Sequence, residues 1–349
     1  MNALDAISTP QPEFSRPEVL RALVEEFGVA GSLDPLVSER DQNFQVTTAA
    51  GECFVFKIAN RSERNITTDF QIQALLHILR RDCPVATPAI RRTLAGNEST
   101  LLIDGDIPHV CRLVSYLPGT PLSAISATPE LARDFGRCAA NLDLALANFE
   151  HAGDSQVLLW DLQHAGDLRE LIAYVEETEL RAVVSLCQDD YDRRVQPKLP
   201  SLRRQVIHGD LNADNVLVAD DRESIVGVID FGDMVRAPLI MEVAVAAAYL
   251  RVDDGDSLAL IVPFIAGYNS ITALEEAELD LLFDLVRTRL VATITILRWR
   301  FSKRGKDDDY ARETMESERR AEHFLLRLNM LGRIPFTERV CDACNISAP

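Results

Sequence analysis

Apolar and polar residues change their spacing several times along this chain, and each change predicts an element. After Ser15, the residues Val19, Leu20, Leu23 and Val24 fall at helical spacing with Pro17 in the first turn, which predicts a helix that Ser15 caps. Between about 33 and 60 the period shortens to short β-type runs. Segments 44–47 and 53–58 read as strands, joined through A-A-G-E as a hairpin. A second helix is predicted over 65–81, and strand-like segments follow near 88–92, 99–103 and 109–116.

The run L-P-G-T-P at 117–121 is the sharpest punctuation in the chain, because proline fixes φ and glycine frees it. Beyond it Leu131, Phe135, Cys138, Leu142, Leu146 and Phe149 recur every three or four residues and predict a helix over 128–150. Further helices are predicted over 166–197, 239–251, 256–269, 274–302 and 307–331, with one β island at 204–230 between them. No internal repeat or low-complexity tract stands out. The expectation is an α+β chain: a loose segment over 1–16, a small β-rich lobe over 17–117 and a larger helical lobe over 118–349. Two-lobed proteins commonly hold a ligand in a cleft.

Composition narrows the partners. Of 349 residues, 47% are apolar and 26% charged, the mix of a globular chain. Against 36 Lys and Arg stand 54 Asp and Glu, a formal charge of −18 that disfavours nucleic acid and anionic membranes and suits a small cationic substrate. The N-terminal residues lack the basic-then-apolar pattern of a signal peptide. The longest apolar run, 237–250, is interrupted by Glu242 and is too short to span a bilayer, so a soluble cytoplasmic protein is expected. The seven cysteines are odd in number and lie mostly in apolar runs, as reduced thiols do. Cys341 and Cys344 form a C-x-x-C, but no second pair or nearby histidine completes a zinc site.

The candidate chemistry sits in the β island. Residues 206–218 read V-I-H-G-D-L-N-A-D-N-V-L-V, and 225–233 read I-V-G-V-I-D-F-G-D. The A-D-D-R-E-S between them carries turn chemistry, so a hairpin is expected to bring Asn215 beside Asp230. Two oxygen donors at such a mouth suit magnesium, which completes its shell with phosphate oxygens and water. Asp210, five residues before Asn215, is then placed to face a substrate hydroxyl. Phosphoryl transfer needs this division of labour, because its loose transition state asks for charge neutralisation and alignment. Singly, His-Gly-Asp is a polar turn and Asp230 a strand-end cap; order, spacing and hairpin together favour the chemical reading.

This H-x-D-x-x-x-x-N … D-F-G order resembles the protein-kinase-like fold. Gly209 and Asn212, with no downstream A-P-E, set it apart from protein kinases and resemble the aminoglycoside phosphotransferase and choline kinase superfamily, many members of which carry His where Asn212 stands. The combination of D-Q-N-F at 41–44, F-K-I at 56–58, S-Y-L-P-G at 115–119, H-G-D-L-N-A-D-N at 208–215, D-F-G-D-M at 230–234 and E-V-A at 242–244 is most similar to hydroxylysine kinases.

The resemblance implies a two-lobed kinase using Mg2+ with ATP or GTP. Asp210 would be the catalytic base, with His208 bracing its loop, and Asn215 and Asp230 would hold the metal. Lys57, set inside an apolar strand, would contact the nucleotide phosphates. The following helix offers Asp69, Gln71 and Gln73 in place of the usual glutamate, and Glu63 stands early. No glycine-rich loop precedes it. The polar turn with Ser38, Asp41, Gln42 and Asn43 either aims backbone N–H groups at phosphate or is an ordinary hairpin loop. Backbone groups of Ser115, Tyr116 and Leu117 would meet the purine edge.

The implied acceptor is a small amino alcohol, hydroxylysine first, with homoserine, choline-like or aminoglycoside acceptors as alternatives. Asp214, Asp233 and Glu242 are candidates for its ammonium group, Asp233 also for a second metal. Arg236, Arg287, Arg289, Arg298 and Arg300 are candidates for a carboxylate, and Trp299 for an apolar wall. Two other classes are a nucleotide-binding pseudokinase and a metal-dependent hydrolase, the latter disfavoured by six scattered histidines.

Overall fold

The computed structural model describes residues 9–304 and 309–346. The chain forms two compact units, one of residues up to 82 with 86–118 and 150–156, the other of 83–85, 119–149 and everything from 157.

In the first unit, helix α1 (Arg16–Phe27) starts where Glu18 reaches back to accept the Ser15 N–H at 2.8 Å, and it ends at Gly28 in the left-handed region. Its buried face of Val19, Ala22, Leu23 and Phe27 packs on an antiparallel sheet. The strands are β1 (Gly31–Leu36), β2 (Gln42–Thr48), β3 (Cys53–Ile58), then, beyond helix α2 (Asn65–Leu79), β4 (Ile90–Arg91), β5 (Thr100–Asp104) and β6 (Ile107–Ser115). Their order is β1-β2-β3-β6-β4, with β5 also paired to β6. Phe44, Val46, Phe56, Ile58, Cys111 and Leu113 enter the core under α1. Strand alternation therefore turns Lys57 to the opposite face, beside its cross-strand partners Asn43 and Arg112.

Residues 1–8 of the expected loose segment lie outside the described residues, and the part that follows is fastened. Gln42 holds both the N–H and the carbonyl of Phe14, at 2.9 and 3.0 Å, and Asn60 donates to the Pro10 carbonyl at 2.9 Å. Residues 150–156 join this unit against the expected boundary, because His151 stacks on Phe70 and its Nε2 meets Asp69 at 3.0 Å.

The second unit opens with β7 (Thr120–Pro121) and helix α3 (Pro129–Leu146), which Thr128 caps by accepting the Leu131 N–H. Helix α4 (Thr178–Asp190) follows, then strands β8 (Arg204–Ile207), β9 (Val216–Val218), β10 (Ile225–Val228) and β11 (Val235–Pro238). The helices α5 (Ile240–Tyr249), α6 (Ile261–Asn269), α7 (Glu276–Arg304), α8 (Asp309–Leu331) and α9 (Arg333–Cys344) complete it. α3 and α6 touch backbone to backbone: a Cβ on Gly136 would lie 1.9 Å from the Phe264 carbonyl oxygen, and one on Gly267 2.0 Å from that of Arg133.

The single helix predicted over 166–197 is instead a 3₁₀ segment, Leu162–Tyr174, followed by α4. Val175 breaks it with extended backbone, and the Arg181 side chain holds the Val175 carbonyl at 2.6 Å. Helix α9 is an element beyond those predicted; its Pro335 lies in the first turn, where a proline forfeits no helical hydrogen bond. No helix among the described residues is long and apolar enough to cross a membrane.

Candidate active site

The hairpin in the second unit forms as expected, with β9 and β10 antiparallel and Val216 opposite Val228. The Ile229 N–H donates to the Asn215 carbonyl at 2.9 Å, which sets Asn215 beside the chain entering Asp230. Strand β11 pairs with β8, Val235 against Ile207, and brings the segment after Asp230 back along the loop that carries Asp210. Gly209 sits in the left-handed region at φ +78°, where a Cβ would fall 2.4 Å from the Asp233 carbonyl oxygen, so no other residue fits without moving the loop.

His208 is fully buried. Its Nε2 donates to the Ile229 carbonyl at 3.0 Å, its Nδ1 accepts the Asp210 N–H at 3.3 Å, and its ring meets Phe231 edge-on at 4.7 Å. Burial drops it to about 4, so the ring is neutral and braces the loop without reaching a substrate. Glu242, expected at the acceptor, is buried beneath the same loop and accepts the Gly209 N–H at 3.1 Å. Burial raises its carboxyl to about 7, against the pull of that hydrogen bond. In this position it bonds the loop backbone from below.

Asp210 keeps 19% of its side chain exposed and is held from both oxygens. Arg289 donates to Oδ1 at 2.7 Å; Asn212 and Asn215 donate to Oδ2 at 2.8 and 3.0 Å. Burial pushes it up to about 7, Arg289 opposes, and the neighbouring Asp233 and Asp230 add to the rise. A carboxylate poised near neutrality suits a general base. Asn215 also donates to the Asp210 carbonyl at 2.9 Å, so both amide hydrogens face acceptors and its Oδ1 is the atom left for a cation.

Asp230 adopts φ +60° and ψ 74° without being glycine, and it is exposed. Such a conformation costs on the order of 1–3 kcal/mol and is kept where it aims a side chain. One amide oxygen and one carboxylate make a hard, sparse donor set, which fits magnesium with phosphate and water in the remaining positions. Among the described residues no cluster of three or more His, Cys, Asp or Glu can hold a metal ion. Cys341 and Cys344 are both buried in α9 as free thiols, and burial raises Cys344 to about 11.

In the first unit, several expected nucleotide contacts have other work. Asp41 accepts the Asn60 N–H at 3.0 Å, Ser38 accepts the Asp41 N–H at 3.3 Å, and Gln42 clamps Phe14. Asn43 keeps a buried Oδ1 that has no partner among the described residues. The N–H groups of Ser115 and Tyr116 already donate to the carbonyls of Ala89 and Cys53, at 2.9 and 3.1 Å, so neither is available to a purine. The residues considered as partners for Lys57 have bonds of their own. Gln71 accepts from Arg112 at 2.5 Å, Asp69 meets His151, and Glu63 accepts from Thr68 at 2.5 Å.

Four expected acceptor residues are drawn elsewhere. Arg298 binds Glu177, Glu318 and Glu322. It stands nine residues beyond Arg289 on α7, about 13 Å along the axis at the usual helical rise. Trp299 is buried on the same helix, and the Arg236 guanidinium donates to the Phe149 carbonyl at 3.1 Å. Arg287 is taken by Asp190 at 3.0 Å, which leaves Arg289 as the arginine at Asp210. The aromatic partners of Arg289 are Trp160 and Tyr249, with ring centroids 4.9 and 5.5 Å from its guanidinium carbon. Asn212, read only as a departure, organises the loop: its Oδ1 accepts the N–H groups of Asp214 and Asn215 at 2.8 and 3.1 Å. The Asn-x-x-Asn spacing carried that signal; nothing local marked Trp160 or Tyr249.

Residues 33–279 match the phosphotransferase enzyme family (APH). A hydroxylysine kinase of Danio rerio is 30% identical over 336 residues, 93% of this chain and 94% of that protein. A hydroxylysine kinase of Bos taurus is 26% identical, covering 86% of each. Among solved structures, a microcompartment-associated aminopropanol kinase aligns with a TM-score of 0.70 at 19% identity, over 91% of this chain and 97% of that one. An amicoumacin kinase in complex with AMP-PNP and Ca2+ aligns at 0.67 and 15%, over 88% and 93%. At these identities the structures speak to fold, and the fold is kinase-like.

Proposed function

Because the chain belongs to the phosphotransferase enzyme family and is a small-molecule kinase, we propose that it moves the γ-phosphoryl group of ATP or GTP onto the hydroxyl of an amino alcohol, hydroxylysine first. The observation that carries the reading is Asp210, fixed by Arg289, Asn212 and Asn215 at 2.7–3.0 Å and still partly exposed. A hydroxyl donating to this carboxylate is aligned for in-line attack. As its oxygen bonds to phosphorus and the bond to the nucleoside diphosphate breaks, its proton passes to Asp210. Magnesium, held by Asn215 Oδ1 and Asp230, would neutralise phosphate charge. Lys57 is assigned to the nucleotide phosphates. The relatives' shared name supports hydroxylysine as acceptor.

The test is a panel of hydroxylysine, homoserine, choline, aminopropanol and an aminoglycoside with ATP or GTP and Mg2+, read by product mass. Hydroxylysine phosphate is expected from the wild type and not from Asp210→Asn. Phosphorylation of the aminoglycoside alone would overturn the acceptor, and magnesium-dependent nucleotide binding without any product would favour a pseudokinase.

A further inference from the structure

Beside the catalytic loop the second unit holds a groove of about 710 Å³, lined among others by Asp214, Tyr249, Arg251, Asp253, Glu316 and Arg320. Its floor carries an arginine in an unusual state. Arg251 is only 7% exposed, and its Nε and Nη1 donate to the carbonyls of Ala248 and Ser317 at 2.7 and 2.6 Å. The guanidinium lies over the Tyr249 ring at 4.8 Å, and Nη2 has no partner among the described residues. Burial brings Arg251 down to about 10, and the nearby charge of Arg320 pushes the same way. Arg320 itself stands 3.6 Å from Asp253 and is 41% exposed. A buried guanidinium beside a second one is costly unless an anion joins them. Acids stand around the pair, and among the described residues none of them bonds Arg251.

We propose that this groove is the acceptor subsite and that Arg251 and Arg320 together receive a carboxylate on the acceptor. Asp214, Asp253 and Glu316 receive its ammonium groups. The acceptor class is therefore a hydroxy amino acid with a second amine, neither a polycation nor a simple amino alcohol. Contacts link the groove to the chemistry: the Tyr249 hydroxyl meets Arg289 Nη2 at 3.2 Å, and the same nitrogen meets Asp210 at 2.7 Å. Asp214 belongs to the catalytic loop, where Ser123 donates to it at 2.5 Å. The assignment rests on Asp210 being the base.

The test compares 5-hydroxylysine with 1,5-diaminopentan-2-ol, which keeps the hydroxyl and both amines and lacks the carboxylate. The wild type should prefer hydroxylysine in kcat/KM by about 10- to 100-fold, the range for hydrogen bonds to charged groups. Arg320→Gln should erase most of that preference by raising KM for hydroxylysine, whereas KM for the diamine, which has no carboxylate to lose, should not rise, and Arg320→Lys should restore part of the preference. Arg251→Gln should behave likewise; since it also frees two carbonyls, the accessible Arg320 carries the test if that variant folds poorly. A wild type indifferent to the carboxylate, or an undiminished preference in Arg320→Gln, would overturn the subsite while leaving the kinase reading intact. Product from neither acceptor, with another member of the panel phosphorylated, would overturn hydroxylysine and the subsite together.

Discussion

Replacing His208 with glutamine asks whether the catalytic loop hangs from a neutral imidazole. The ring is fully buried, and its two nitrogens satisfy the Ile229 carbonyl and the Asp210 N–H. Its value is lowered from 6.5 to about 4, with burial the leading cause. The unfolded chain therefore binds a proton below 6.5 that the folded chain refuses until about 4. Stability from this group is complete above the unfolded value and is lost as the pH falls between the two. At about 1.36 kcal/mol per unit the full loss is roughly 3 kcal/mol, about 2 of it gone by pH 5. Glutamine has no such proton. At pH 7.5 the variant should be less stable by about 1–3 kcal/mol, the cost of a buried group left without its partner. As the pH falls to 5, wild-type and variant urea midpoints should converge. Parallel curves between pH 7.5 and 5 would refute the neutral buried imidazole.

Two further substitutions probe the loop and the nucleotide side. Gly209→Ala places a Cβ 2.4 Å from the Asp233 carbonyl oxygen in a left-handed residue, so thermal melts should show a loss of at least about 1–2 kcal/mol and turnover should fall more than about tenfold; unchanged turnover would mean the loop geometry is not needed. Lys57→Met should lower kcat/KM for the nucleotide by about 10- to 100-fold while KM for the acceptor stays within error, as steady-state kinetics with either substrate varied will show.

The parts legible in the sequence are those that neighbours along the chain decide. Ser15 with Glu18 starts α1, and the turn chemistry between Val218 and Ile225 closes the hairpin that sets Asn215 by the chain to Asp230. Lys57 faces away from the core because Phe56 and Ile58 face into it. What escaped depends on the rotation and packing of distant helices. Arg287 and Arg289 are two residues apart on α7, so they point in nearly opposite directions; Arg287 meets Asp190 and Arg289 meets Asp210. No local pattern tells which of α7's candidate arginines faces the loop: Arg289 does, while Arg298 lies with Glu177, Glu318 and Glu322. The same ambiguity placed Glu242 at the acceptor: a carboxylate in an apolar helix reads as a ligand group, and here it lies under the loop as a backbone acceptor.

A net charge of −18 taken as a sum opposes an anionic nucleotide as it opposes nucleic acid, but the sum hides how the charge is distributed. Among the described residues the buried charged side chains are five arginines, 112, 251, 287, 289 and 300, against six acids, Asp143, Asp154, Asp161, Glu242, Glu278 and Asp284. By formal charge this buried set is close to balance, so the excess negative charge of the described residues lies outside it. Exposed charges are screened beyond about 8 Å at physiological salt, whereas a buried pair keeps most of its interaction. Recognition of phosphate and carboxylate is therefore governed by which cations are buried nearby and in what company. Arg289 shows the principle: packed near two aromatic rings with its charge on Asp210, it holds that carboxylate in place at a site where the net charge of the chain counts for little.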